Sequence, residues 1–212
     1  MQPRVDRPED RADRLLVEPL VAFSTLEVFE VAADLFYREG IHAVGVDAIV
    51  KKAGVAKISL YRRYASKDDL IVAYLEERAA GFWRQWDEIC APWREDPRAE
   101  LRVIVDHIAH RTTRPGYRGC PFINYCAEFP DASHPGRRVA ENTKREMRRR
   151  LLDIAKRLDA LSPGQLADGL LLLIEGAYAI SLTLGGSKGP GNALVEASMA
   201  LVDSHAKTLP SQ

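Results

Sequence analysis

The feature that most constrains the fold of this chain is a tight turn between two short segments with helical spacing. The turn is Ala53-Gly54-Val55, and the segments span residues 46–53 and 57–64. Glycine reaches positive φ without steric cost, so the chain can reverse sharply at Gly54, and the small Ala53 lets two helices approach closely. The apolar residues of this stretch are spaced to face a preceding helix: Ile49, Val50, Val55 and Leu60. The pattern predicts a helix-turn-helix.

The same stretch concentrates positive charge. The 212 residues include 30 basic and 30 acidic residues, so the formal net charge is zero, yet residues 48–67 hold six basic residues and no acidic one. The six are Lys51, Lys52, Lys57, Arg62, Arg63 and Lys67. The zero net charge argues against a globally basic binder, whereas the local excess of cations is the footprint expected of a surface that meets a phosphate backbone.

Particular side chains are candidates for contacts with DNA. Tyr61 and Tyr64 are three residues apart and share a helix face, and tyrosine hydroxyls commonly bond phosphate oxygens. Lys57 and Lys67 fall in the predicted first turns of helices, where the macrodipole disfavours cations unless an anion binds there. The predicted DNA-binding residues are Lys57, Ser59, Tyr61, Arg62, Arg63, Tyr64 and Lys67. For any one of them, a solvated helix face or a place in the core is the alternative.

Helical signals continue along the chain. Apolar residues recur at helical spacing from Val28 to Phe36, and Gly40 is expected to end that helix. Ser66 with Asp69 three residues later is typical of a helix N-cap. No segment has the pattern of a strand. We expect an all-α fold of about nine helices, with a flexible tail at 1–18, a helix-turn-helix domain at 19–70 and a C-terminal helical bundle at 71–212.

The block 28–70 resembles the TetR family of bacterial repressors. The matching motifs are Leu35-Phe36, Gly40, Ile49, Ala53-Gly54-Val55, Leu60-Tyr61, Tyr64, Ser66-Lys67 and Leu70. The resemblance implies that the second short helix enters the major groove of an operator. It also implies that Tyr61, Tyr64 and Lys67 contact phosphates and that residues near Lys57, Ser59 and Arg62 read or border bases. Ala56 stands where the family has a Ser or Thr cap, so the start of that helix is expected to be weakened by about 1 kcal/mol.

The resemblance further implies a pocket for a small-molecule effector in the C-terminal body. The candidate lining residues are Trp83, Trp86, His107, Phe122, Tyr125, Phe129, Glu175 and Tyr178. Apolar pockets with a few polar groups are the usual form of small-molecule sites. The alternative is that these aromatic residues are core, and that Glu175 lies at a helix edge near solvent.

The last two predicted helices, 166–184 and 192–208, resemble those that pair across the two-fold axis of the family's dimers. Leu172 and Leu173 would supply apolar area, and Gly176 would allow close approach. A homodimer would place two recognition helices on successive major-groove faces of a palindromic operator. The resemblance thus predicts a repressor that an effector releases from double-stranded DNA. The alternative for these helices is an internal core.

Other functions are less well supported by the residues. His107, Cys120 and Cys126 leave open a thiol- or metal-responsive regulator of the same fold, but their spacing is not that of a usual zinc site and no acid–base partner indicates an enzyme. We therefore expect no catalytic residues, no metal and no cofactor. The N-terminus has no apolar leader, and the apolar stretch 166–184 contains Asp168 and Glu175. A cytoplasmic protein without a membrane partner is expected.

Overall fold

The structure is a computed structural model that describes residues 25–186 and 189–207. Within these ranges it contains nine α-helices and no strand, which confirms the predicted fold class. The helices are α1 Thr25–Glu39, α2 Val46–Ala53, α3 Lys57–Tyr61, α4 Lys67–Cys90, α5 Pro97–Thr112, α6 Pro121–Glu128, α7 Gly136–Arg157, α8 Pro163–Ile180 and α9 Leu194–Ser204. The predicted tail at 1–18, the start of the predicted domain at 19–24 and residue 208 lie outside the described residues.

The helices near the turn begin where the sequence predicts, and α2 also ends there. Gly54 follows α2 in the left-handed conformation, with φ of 65°, and its N–H donates to the carbonyl of Lys51. The Ser66 hydroxyl accepts from the Asp69 N–H at 3.0 Å and caps α4. α3 ends at Tyr61 rather than at 64, and hydrogen-bonded turns carry the chain on to Tyr64.

The later helices are shorter than predicted. α8 ends at Ile180, and hydrogen-bonded turns carry the chain on to Leu184. Ser162 occupies the N-cap position of α8, but its hydroxyl makes no capping bond. A 3₁₀ turn over Pro190–Ala193 precedes α9, because Pro190 lacks an N–H and the tighter turn suits the short segment.

Helices α1 to α3 pack around one apolar centre that continues into α4. Ala32, Ile49 and Leu60 are buried there, and Phe36 contacts the edge of the Tyr74 ring at a centroid distance of 5.6 Å. In the remaining helices, α7 packs against both α4 and α8, while α5 lies against α9. Gly169 of α8 faces Leu201 of α9 so closely that a Cβ at Gly169 would lie 2.8 Å from it. This glycine therefore serves packing within the chain.

No helix among the described residues is both long enough and apolar enough to cross a lipid bilayer.

Candidate nucleic-acid interface and cavity

Helix α3 presents apolar side chains to solvent. Leu60 is buried against α1, whereas Ile58 is 63% exposed and Tyr61 is 42% exposed. The core beside α3 is well packed, with Ile49 and Leu60 buried, so poor packing does not account for the exposure of Ile58 and Tyr61. Ile58 was not among the sequence candidates, although an isolated isoleucine between Lys57 and Ser59 on a predicted recognition helix could have indicated it.

The predicted DNA-contact residues differ in their exposure. Lys57, Ser59, Tyr61, Arg62 and Arg63 are exposed on α3 and the turn that follows. Tyr64 and Lys67 are half-buried. The Tyr64 ring lies beneath the Arg63 guanidinium, 6.0 Å from its carbon to the ring centroid. Five of the seven predicted residues are therefore open to solvent, whereas Tyr64 and Lys67 are partly covered.

Two of the cations are paired in three dimensions. Lys57 Nζ lies 2.8 Å from a carboxylate oxygen of Asp47, and Lys52 Nζ lies 3.4 Å from Asp34. The ion pair with Asp47 raises the pKa of Lys57. Both carboxylates lie outside residues 48–67, so the acidic partners of these two lysines are not found within that segment of the sequence. Exposed pairs of this kind are weak, about 0–1 kcal/mol, and a phosphate can replace the carboxylate.

Lys67 has a structural partner in the protein. Its Nζ donates to the Ile41 carbonyl at 2.7 Å, which ties the start of α4 to the turn after α1. Burial lowers the pKa of Lys67, although Glu128 acts in the opposite direction. The protein itself thus holds the ammonium group in place.

A cavity of about 430 Å³ lies between α4, α7 and α8 and reaches the start of α6. Phe122 and Tyr178, two of the predicted ligand-binding residues, line it. Glu175, a third, accepts a hydrogen bond at 2.6 Å from Lys144, which is part of the wall. Five cations also line it and were absent from the sequence candidates: Arg78, Arg84, Arg111, Arg114 and Lys144.

The other predicted ligand-binding residues lie outside this lining. Trp83 and Trp86 stack edge-on with each other, and the Arg150 guanidinium lies 4.5 Å from the Trp83 ring centroid. His107 and Trp86 border a gap of only about 10 Å³. Tyr125 is fully buried. Trp83 and Trp86 take packing positions because this face of α4 lies against α5 and α7.

Helix α6 connects the cavity with the turn between α1 and α2. At its start, Phe122 contacts the cavity. At its end, a Glu128 carboxylate oxygen accepts from the His42 N–H at 2.7 Å, and the His42 ring stacks on Phe129 at 4.3 Å. In addition, the Tyr37 hydroxyl of α1 donates to the Gly119 carbonyl at 3.2 Å, just before α6. Phe129 thus lies at the opposite end of α6 from the cavity.

Two of the three cysteines have a raised pKa and therefore little thiolate at neutral pH. Burial raises the pKa of Cys90 to about 12 and also raises the pKa of Cys126. Cys120 is buried in the cavity wall, with its Sγ 3.5 Å from Lys144 Nζ. No group of three or more His, Cys, Asp or Glu side chains in the described part of the chain is arranged to hold a metal ion.

Comparison with known proteins identifies the family. The model of the tetR family of bacterial regulatory proteins matches residues 28–74. The chain is 33% identical over 90 residues to the transcriptional activator FasR of Mycolicibacterium smegmatis, a match that covers 41% of this chain but only 40% of FasR. The structure is similar to a TetR transcriptional regulator from Streptomyces avermitilis, with a TM-score of 0.74 and 31% identity over 85% of this chain and 96% of the other.

A second solved structure, the TetR-family regulator SCO4454 of Streptomyces coelicolor, matches with a TM-score of 0.77 and 26% identity over 86% of this chain and 95% of the other. The matched family and these neighbours are transcriptional regulators, which agrees with the expectation that this chain is not an enzyme. The chain belongs to the TetR family of DNA-binding transcriptional regulators.

Proposed function

We propose that this regulator is a homodimeric repressor that binds a near-palindromic operator and is released by a small-molecule effector. The observation that carries the proposal is the surface of α3. Ile58 and Tyr61 are exposed there among basic side chains, although the core beneath them is well packed. Ile58 and Tyr61 are three residues apart and share a helix face, and an exposed apolar patch rimmed by polar residues is typical of a surface that meets a partner. In this arrangement residues 19–70 form the reading head and residues 71–212 the sensing and dimerising body.

The surface allows a division of contacts. With α3 in the major groove, Lys57, Ser59 and Arg62 lie where base edges can be reached, and the Ile58 side chain suits a thymine methyl group. The Tyr61 and Tyr64 hydroxyls and the charges of Arg63 and Lys67 suit phosphates. Base contacts would then come from α3, and the surrounding residues would set its position on the duplex.

An exposed leucine on α8 supports the dimer. Leu172 is 72% exposed, and a Cβ added at Gly176, one turn further on, would meet nothing within 4 Å. Both residues lie on the outward face of α8, so a second copy of this helix could approach closely there. Replacing Leu172 by glutamate should yield monomers in sedimentation velocity and lower operator affinity. A variant that remains dimeric would place the interface elsewhere.

Helix α6 supplies a physical route from effector to DNA. An effector that contacts Phe122 and displaces α6 would also move Glu128, and with it His42 in the turn between α1 and α2. That turn positions α2 and α3, so the spacing of the two reading heads would change. A coupling of about 1–3 kcal/mol would lower operator affinity by about 5- to 150-fold.

The proposal is tested by selecting bound duplexes from a random pool at two salt concentrations and sequencing them. We expect a two-fold symmetric site whose affinity falls steeply with salt. Arg62→Gln should alter the recovered sequence, whereas Arg138→Gln, which removes an equal exposed charge from α7, should not. Failure of the wild-type protein to enrich any sequence would contradict the proposal.

The direction of regulation needs a separate assay. Transcription in vitro from a promoter that contains the recovered site should fall when the protein is added. A rise would make the protein an activator, as the name of FasR states for that protein.

A further inference from the structure

The wall of the cavity between α4, α7 and α8 is strongly cationic. Five basic side chains line it, against the single carboxylate of Glu77. Lys144 is paired with Glu175, and Arg84 lies 3.9 Å from Glu77. Among the residues that the structure describes, Arg78, Arg111 and Arg114 have no carboxylate within 4.0 Å. These three arginines come from different parts of the chain and converge on one space, which carries an uncompensated positive charge.

Two buried hydrogen-bond donors of the wall have no partner in the described part of the protein. They are the Arg78 Nε and the Tyr117 hydroxyl. Burial raises the pKa of Tyr117, so its hydroxyl keeps its proton at neutral pH and remains a donor. Buried donors are normally bonded, and leaving them unsatisfied is costly. Both atoms have almost no accessible surface, so a side-chain rotation would be needed to bring either donor to an acceptor in the cavity that the two residues line.

Another part of the wall is apolar, although Gln85 and Thr143 also line the cavity. Phe82, Phe122 and Met147 contribute to it, together with the ring of Tyr178. A cavity of about 430 Å³ is within the size range of sites for small organic molecules. The lining thus combines a cationic part, which has unpartnered donors, with an apolar part. A bare inorganic anion would contact only the cationic part.

We propose that the effector is an amphipathic organic anion, whose carboxylate, sulfonate or phosphate group is held by Arg78, Arg111 and Tyr117 and whose apolar part lies against Phe82 and Phe122. Guanidinium groups bind such oxyanions with short, charge-assisted hydrogen bonds. The inference rests on the proposed function, in that it takes this cavity to be the effector site. It adds the chemical class of the effector.

The test compares two fluorescent dyes with similar aromatic bodies. Anilinonaphthalene sulfonate carries an anionic group, and phenylnaphthylamine lacks it. We expect the wild-type protein to bind the sulfonate more tightly than the neutral dye. In the variant with both Arg78→Gln and Arg111→Gln, the ratio of the two affinities should fall by at least about tenfold, which is about 1.4 kcal/mol. Arg102→Gln, an exposed change on α5 outside the cavity, should leave the ratio unchanged.

The wild-type comparison does not depend on the folding of a variant. Benzoate should compete with the sulfonate dye, and benzamide should not. Equal competition by the two compounds, or an unchanged ratio in the folded double variant, would overturn the assignment of an anion. If neither dye binds the wild-type protein, the cavity is not the effector site. A failure to select operator DNA would instead overturn the proposed function, and the dye result would still stand.

Discussion

Replacing Lys67 by alanine tests two roles of one side chain. In the free protein its Nζ donates to the Ile41 carbonyl at 2.7 Å. A hydrogen bond from a charged group contributes about 1.5–3 kcal/mol, but Lys67 is only half-buried and its lowered pKa indicates a desolvation cost. We therefore expect the free energy of unfolding to fall by about 1 kcal/mol. Urea denaturation should show a lower midpoint with an unchanged m value.

The same substitution should change the salt dependence of DNA binding. Each phosphate that a cation neutralises contributes about 0.9 to the slope of log K against log salt concentration, so a dimer that loses two Lys67 contacts should lose about 1.8. The matched control is Lys156→Ala, which removes an exposed lysine from the far end of α7. An unchanged slope would remove Lys67 from the phosphate contacts, and an unchanged free energy of unfolding would refute its bond to Ile41 as a stabilising contact.

Burial lowers the pKa of His107, so the unfolded state binds more protons below about pH 6.5 and stability falls as the pH drops from 7 to 5. His107→Gln should flatten that fall in urea titrations, whereas His110→Gln on the exposed side of α5 should leave His107's contribution in place. Gly54→Ala should cost about 1–2 kcal/mol of stability and weaken operator binding, because φ is 65° there. Gly45→Ala, at φ of −84° with open space around it, should cost less stability than Gly54→Ala, through the N-cap of α2 alone, and should leave operator binding unchanged. Gly81→Ala should stabilise α4 by about 1 kcal/mol, since the new Cβ would meet only Arg84 at 3.7 Å, and an unaltered thermal midpoint would count against this helix-propensity argument.

Residues close together in the chain carry enough information to predict the helix-turn-helix. The turn at Gly54 and the cap at Ser66 are properties of a few neighbouring residues, so their conformations could be inferred from residue type and spacing. The inward positions of Ile49 and Leu60 followed from helical periodicity in the same way. The concentration of basic residues can be read from the sequence for the same reason. The ion pair between Lys52 and Asp34 cannot, because it joins residues on two different helices.

The position and lining of the cavity could not be predicted from neighbouring residues in this way. Aromatic residues often line pockets, and the sequence therefore favours Trp83 and Trp86, but in the structure these two side chains contact each other where α4 packs against α5 and α7. Arg78 and Arg111 are charged residues on long helices, and such residues usually face water. Periodicity gives the direction of a side chain around its own helix, but not whether a second helix covers that direction or leaves a space there.

The sequence by itself therefore determined the helical class, the helix-turn-helix and the family, because each depends on short-range spacing. Only the tertiary structure decided which cations are free, where the cavity lies and which residues line it. It also placed α6 between that cavity and the turn that holds His42. The physical reason is that a cavity is the space left when helices distant in sequence pack together, so its shape and charge belong to their relative placement and to no single segment.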